Sequence, residues 1–165
     1  MLFRSVSVGN PGTPTETGLF DDARAALDFL QREAITADRL VFYGESLGSG
    51  IAVHMAARQQ IAALILESPF TSVAAVAQYH YPFVPAALLI SDRYDSLSRI
   101  GRVNAPILIL GGGGDAVVPA RFSQALFEAA PEPKESWLAP DAGHVNLDGF
   151  GALDEVVAFI DRCVP

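Results

Sequence analysis

A serine at position 46, a histidine at 144 and an aspartate at 115 are the right residue types for a nucleophile, the base that takes its proton and the carboxylate that orients the base. Ser46 stands in Gly44-Glu45-Ser46-Leu47-Gly48, directly after the apolar run Leu40–Tyr43 and before a stretch of small residues. A G-x-S-x-G placed between a strand and a helix marks a sharp turn. The serine backbone is strained there, glycine on each side relieves the crowding, and the hydroxyl projects at the start of the helix. The helix N-terminus adds free N–H groups and positive potential, which favour an oxyanion. The chemistry that follows is nucleophilic attack on an acyl carbon.

A serine hydroxyl is a weak nucleophile until an imidazole takes its proton. The chain has three histidines. His54 lies two turns into the helix after Ser46, so it points away from the hydroxyl and is expected to pack or to lie on the helix surface. His80, in QYHYP, sits in an irregular region and reads as a solvated loop residue, with ligand contact as the alternative. His144, in Asp141-Ala142-Gly143-His144, follows the last strand and emerges at the same sheet edge as Ser46. It is the expected base.

The imidazole needs a carboxylate to fix its tautomer. Asp115 is preferred because it follows the apolar run Ile107–Leu110 and the glycines Gly111–Gly114, again at a strand's C-terminal end. Glu67, Asp141 and Asp148 are the rivals, and Glu67 has a second reading as a brace for the Ser68-Pro69 turn. The glycine run also resembles a phosphate cradle. No Lys-Ser/Thr follows it and no helix starts at once, so a flexible strand exit is the simpler account.

The elements that must position these groups alternate. Strands are expected at Leu40–Tyr43, Ala63–Leu66, Ile107–Leu110 and Ser136–Leu138. Helices are expected at Thr17–Arg32, Gly48–Arg58, Arg121–Ala129 and Leu153–Arg162. That alternation implies an α/β fold with a mostly parallel sheet flanked by helices and functional groups at the strands' C-terminal ends. The stretch Ser68–Asn104 lacks the rhythm. Rich in aromatics and prolines, it is expected to be a lid-like excursion over the sheet edge within a single domain spanning 1–165.

Half of the residues are hydrophobic, 18% are charged and the formal net charge is −8. Such a chain is globular, and its acidity argues against nucleic acid, whose phosphates demand a basic face. The single cysteine, Cys163, excludes an intrachain disulfide. No apolar run reaches the ~20 residues a membrane span needs, and MLFRSVSVGNPG does not read as an export signal. A reducing, cytoplasmic setting is expected.

Several segments together resemble the α/β-hydrolase superfamily, and more narrowly its serine-aminopeptidase-like single-domain serine hydrolases, which include depalmitoylating thioesterases. They are Gly12-Thr13-Pro14-Thr15-Glu16 with Asp22-Ala23, Gly44–Gly48, Leu64–Ser72, Ala105–Asp115 with Val118-Pro119, and Ala142–Asn146. The chain order Ser46, Asp115, His144 matches that of nucleophile-elbow hydrolases. The resemblance implies a serine hydrolase acting on a carboxylic ester, thioester or amide, on a small-molecule or acylated substrate and without a cofactor. Leu47 would supply an oxyanion-hole N–H. Phe70, Tyr79, Tyr81 and Phe83, with Leu88, Leu89 and Tyr94, would shape an apolar acyl pocket or, alternatively, plain core.

The resemblance covers only the C-terminal two-thirds of such enzymes. The first strands and an HG-type oxyanion loop have no counterpart, and Met1–Val8 reads either as a remnant of the fourth strand or as unrelated sequence. Loss of one oxyanion donor costs about 2.7–4 kcal/mol of transition-state stabilisation. The strand carrying Ser46 is then expected at an exposed edge that invites homodimerisation. A non-catalytic remnant or interaction module is the alternative function, with nucleotide binding at Gly111–Gly114 a distant third.

Overall fold

Adjacent residues of the two central strands go to opposite sides of the sheet, and this decides where every helix packs. In β2 (Ala63–Glu67) and β3 (Ile107–Gly112), Leu64, Leu66, Ile107 and Ile109 face one core, while Ala63, Ile65, Leu108 and Leu110 face a second. Both strands are buried throughout. A strand covered on both faces loses polar alternation and reads as a continuous apolar run. The computed structural model describes residues 14–164. The segments read at Met1–Val8 and Gly12-Thr13 lie outside the described residues.

Four parallel strands form one sheet in the order β1 (Val41–Glu45), β2, β3, β4 (Lys134–Ala139). Val41 pairs with Ala63, Leu64 with Ile107, and Ile107 with Lys134, so the register keeps all four C-terminal ends on one side. The first core is covered by α1 (Glu16–Arg32), α2 (Leu47–Ala56), α5 (Leu97–Ile100) and α6 (Arg121–Ala129). The second is covered by α7 (Ala152–Cys163). Two cores of this kind, with helices on both faces of a parallel sheet, are the expected α/β architecture.

The helices end where their sequences say they must. The Thr15 hydroxyl accepts the Gly18 N–H at 3.1 Å and caps α1, whose buried side is Phe20, Ala23 and Leu27. These follow the three-to-four-residue spacing of one helix face. In α2 every residue from Gly48 to Ala56 is buried, so its sequence shows small residues and little polarity on any side. Emptying a core position such as Leu66 would cost about 2–5 kcal/mol.

Some boundaries differ from expectation. β4 begins at Lys134 rather than Ser136, because an edge strand exposes Glu135 and Ser136 and carries no apolar run to signal its start. β1 begins at Val41, with Leu40 closing a 3₁₀ turn (Ala37–Arg39), and runs on to Glu45. The excursion after β2 holds α3 (Val73–His80), α4 (Ala86–Leu89) and α5, each too short to show a clear helical period. Glu16 anchors it: its carboxylate accepts the N–H groups of Arg93 at 2.7 Å and Tyr94 at 3.0 Å, and pairs with Arg99 at 3.0 Å.

Candidate active site

Ser46 is the residue between β1 and α2, and its backbone stands at φ 49°, ψ −119°. A non-glycine residue in that region is held there against a cost of roughly 1–3 kcal/mol. Hydrogen bonds hold it on both sides: the Ser46 N–H donates to the Glu67 carbonyl at 2.9 Å, and the Ser46 carbonyl accepts the Ser49 hydroxyl at 2.6 Å and the Ser49 N–H at 3.0 Å. A Cβ on Gly44 would lie 2.5 Å from the Gly48 carbonyl oxygen and 2.7 Å from Ser49 Cα. The first glycine of the G-x-S-x-G is therefore required by close packing of strand against helix. Leu47 is the first residue of α2, and a helix leaves its first N–H groups without intrahelical partners.

His144 Nε2 lies 2.8 Å from Ser46 Oγ, and His144 Nδ1 lies 2.7 Å from Asp115 Oδ2. Asp115 Oδ1 accepts the N–H groups of Val117 and Val118, each at 2.8 Å. With three donors on two oxygens, a side chain only 1% exposed has the hydrogen bonds a buried carboxylate needs. The pattern fits one tautomer: Nδ1–H donates to Asp115, and Nε2 is left to accept from the Ser46 hydroxyl.

Gly111–Gly114 serves this meeting. A Cβ on Gly112 would fall 2.4 Å from the Ala142 carbonyl oxygen, and one on Gly113 would fall 2.3 Å from that of Pro140. The backbone after β3 lies directly on the histidine loop, with Gly113 N–H donating to the Ala139 carbonyl at 2.8 Å and Gly114 N–H to that of Ala142 at 2.9 Å. Asn146 closes the same loop by accepting the Gly143 N–H at 2.7 Å.

The other expected residues are scattered. Phe70 and Tyr94 are buried in the first core, at 3% and 5% exposure, so of the two readings given to these aromatics they take the core one. Both belong to the excursion and turn inward from it, where a ring Cζ of Phe70 and Cβ of Tyr94 close on Gly50. Tyr79, Tyr81, Phe83, Leu88 and Leu89 are exposed, Phe83 almost wholly. Tyr79 stacks under the Arg121 guanidinium, 3.7 Å from its ring centroid. His80 ends α3 and bonds through Nε2 to the Val117 carbonyl at 2.9 Å, which joins the excursion to the Asp115 loop. His54 is buried and stacks on Phe20 with centroids 3.5 Å apart. Burial, then Arg58 and Arg99, lowers its pKa to about 4.

Among the rival acids, Glu67 is also buried, and its carboxylate accepts the Tyr43 hydroxyl. Burial and the nearby Asp148 raise its pKa, with His144 opposing them. The hydroxyl of Ser68 reaches the His144 carbonyl at 3.3 Å. Ser68 was not among the expected site residues. Its signal was the strand end it occupies, level with the ends of β1 and β3. Among the described residues, no cluster of three or more His, Cys, Asp or Glu side chains is placed to hold a metal ion.

No family model matches the chain. Over 92% of its length it is 45% identical to the protein Rv2307c of Mycobacterium tuberculosis, of which it covers 56%. It is 33% identical over 92% of its length to the human alpha/beta hydrolase domain-containing protein 17B, covering 52% of that protein. The chain thus spans about half the length of the curated relatives it matches. Among solved structures, the Pyrococcus furiosus esterase Pf2001 superposes with a TM-score of 0.74 at 19% identity, over 95% of this chain and 66% of that one.

Proposed function

We propose, given that this chain belongs to the α/β-hydrolase superfamily, that it is a serine hydrolase of carboxylic esters, thioesters or amides. The observation that carries the reading is one imidazole with two short contacts, 2.8 Å to Ser46 Oγ and 2.7 Å to Asp115 Oδ2. In this reading His144 Nε2 takes the hydroxyl proton while Ser46 Oγ bonds to the acyl carbon. The carbonyl π electrons move to oxygen, and the Leu47 N–H donates to the oxyanion. Collapse expels the leaving group, which receives the proton from Nε2, and an acyl-enzyme remains. Water, deprotonated by the same nitrogen, then releases the acid and restores the serine. Asp115 holds the tautomer and stabilises the imidazolium.

The exposed aromatic and leucine side chains of the excursion favour an apolar acyl group, with Tyr79, Tyr81 and Phe83 available to contact it. The names of similar proteins agree with hydrolysis, though not with any particular acyl group: an esterase among solved structures and an alpha/beta hydrolase domain-containing protein among sequence relatives. The lone thiol, Cys163, agrees with the cytoplasmic setting assigned here. Hydrolysis of p-nitrophenyl esters of graded chain length tests the reading. Wild type should turn over, with Ser46→Ala and His144→Ala each reduced by ~10³-fold or more. Undiminished turnover by folded Ser46→Ala contradicts it.

A further inference from the structure

The carbonyl of Val117 and the N–H of Val118 belong to one peptide unit, and each end of that unit meets a polar side chain. The N–H donates to Asp115 Oδ1 at 2.8 Å, beside the Val117 N–H at the same distance. The carbonyl faces His80, whose Nε2 lies 2.9 Å away. A carbonyl can only accept, so His80 is the donor and carries its proton on Nε2. From His80 the contacts run through one peptide to Asp115, then at 2.7 Å to His144 Nδ1, and at 2.8 Å from His144 Nε2 to Ser46 Oγ.

His80 is itself seated. It ends α3, and the ring of Tyr79 beside it meets the His80 ring edge-on, with centroids 5.0 Å apart. The same ring meets Phe122 edge-on at 6.1 Å and lies under the Arg121 guanidinium at 3.7 Å. Arg121 and Phe122 open α6, the helix that follows the Asp115 loop. The end of α3 therefore grips this loop both at Val117 and at its exit. Residues 113–120 contain no strand or helix, and two of their N–H groups are spent on Asp115. A carboxylate orients an imidazole only as firmly as it is itself held, so support from a neighbouring element matters here.

We propose that His80 is a positioning residue for Asp115: through the Val117–Val118 peptide it holds the carboxylate that selects the His144 tautomer, and it makes the excursion part of the support of the candidate site. It touches none of the reacting atoms. This rests on the serine-hydrolase reading for its purpose, though not for its first test.

Two substitutions separate the N–H from the ring that bears it. His80→Phe keeps a ring against Tyr79 and has no N–H. His80→Gln gives up the ring and keeps an N–H for the Val117 carbonyl. The readout is the ratio of the two neutral tautomers of His144, taken from ring-nitrogen NMR shifts at a pH where the imidazole is neutral. His144 is assigned by its loss in His144→Gln, and no substrate is needed. Wild type should hold the Nδ1–H form. His80→Phe should move the ratio toward Nε2–H by ~2–10-fold, the net worth of one hydrogen bond, and His80→Gln should stay near wild type. Where esters are hydrolysed, kcat should fall in step while KM changes little. That loss should disappear in an Asp115→Asn background, where no carboxylate remains to be held.

A wild type that holds the Nε2–H form, or an unmoved ratio in folded His80→Phe, overturns the proposal. So does a His80→Gln ratio moved as far as that of His80→Phe. A moved and rescued ratio in a protein that hydrolyses no ester upholds the positioning role and counts against the hydrolase reading alone. If His80→Phe does not fold, His80→Ala, which truncates an exposed side chain, decides by the same ratio.

Discussion

Ser46 is held in an unfavourable backbone region by groups that belong to other elements, the Glu67 carbonyl and the tight packing at Gly44. That arrangement commits the hydroxyl to one direction before any substrate arrives. His144 and Asp115 are also held, the first by its Nδ1 contact with Asp115 in a loop that Asn146 closes at Gly143, the second by two backbone N–H groups. Asp115→Asn should keep the fold and remove the tautomer control, lowering kcat by ~10⁴-fold. Ester turnover within tenfold of wild type would show that Asp115 does not orient the base. Gly44→Ala drives a Cβ to 2.5 Å from a backbone oxygen in α2. We expect lower soluble yield and a fall in Tm of several degrees, on the order of 5 °C or more, read by circular dichroism. An unchanged Tm would show that the turn yields.

At the scale of elements, α1 meets α2 through the stack of Phe20 on His54, and this contact is sensitive to acid. The folded chain holds His54 neutral, with a pKa lowered to about 4, against 6.5 for an unperturbed imidazole. Between those values the unfolded chain binds the extra proton, so the stabilisation is fully present above 6.5 and is lost as pH falls toward 4. His54→Phe keeps an aromatic ring against Phe20 and has nothing to titrate. Wild-type Tm should therefore fall more steeply than that of His54→Phe between pH 6.5 and 4, and parallel curves would refute the assignment. Glu67 has the opposite sign. With its pKa raised, the folded state binds the proton more tightly, so its stabilisation holds at low pH and is lost as pH rises through the raised value.

The elements also show what the sequence discloses and what it withholds. The turn at Ser46, the two buried strands and the loop histidine were legible, because glycine spacing, apolar runs and strand-end position are local signals. The start of β4 was not, since an edge strand of Lys134, Glu135 and Ser136 has a polar pattern. Phe70 and Tyr94 share their composition with exposed Tyr81 and Phe83, and only the packing around Gly50 separates core from surface. Nor does spacing show why four glycines stand before Asp115. For Gly112, Gly113 and Gly114 the reason is a neighbour about thirty residues away, the Ala139–Gly143 backbone lying against them, while Gly111 faces the side chains of Ser123 and Leu138.

Over the whole molecule, the sheet carries its candidate chemistry near one edge. Among the described residues β1 pairs only with β2, so the strand that leads to Ser46 has an open side. An uncovered edge is a template for another chain. The 165-residue polypeptide, studied by itself, is expected to self-associate through β1, and light scattering should give an average mass that rises with concentration. Arginine or proline at Val41, which faces the second core and is only partly buried, should reduce that rise. A constant monomer mass up to millimolar concentration would contradict the edge-pairing account.

The serine's activation is the central claim, and covalent labelling tests it most directly. The folded chain is treated with an alkyl fluorophosphonate and examined by intact and peptide mass spectrometry. The account predicts one phosphonyl adduct, on the peptide containing Ser46, absent from Ser46→Ala and strongly slowed in His144→Ala. A folded wild type that stays unlabelled, or that labels equally well without His144, would contradict it.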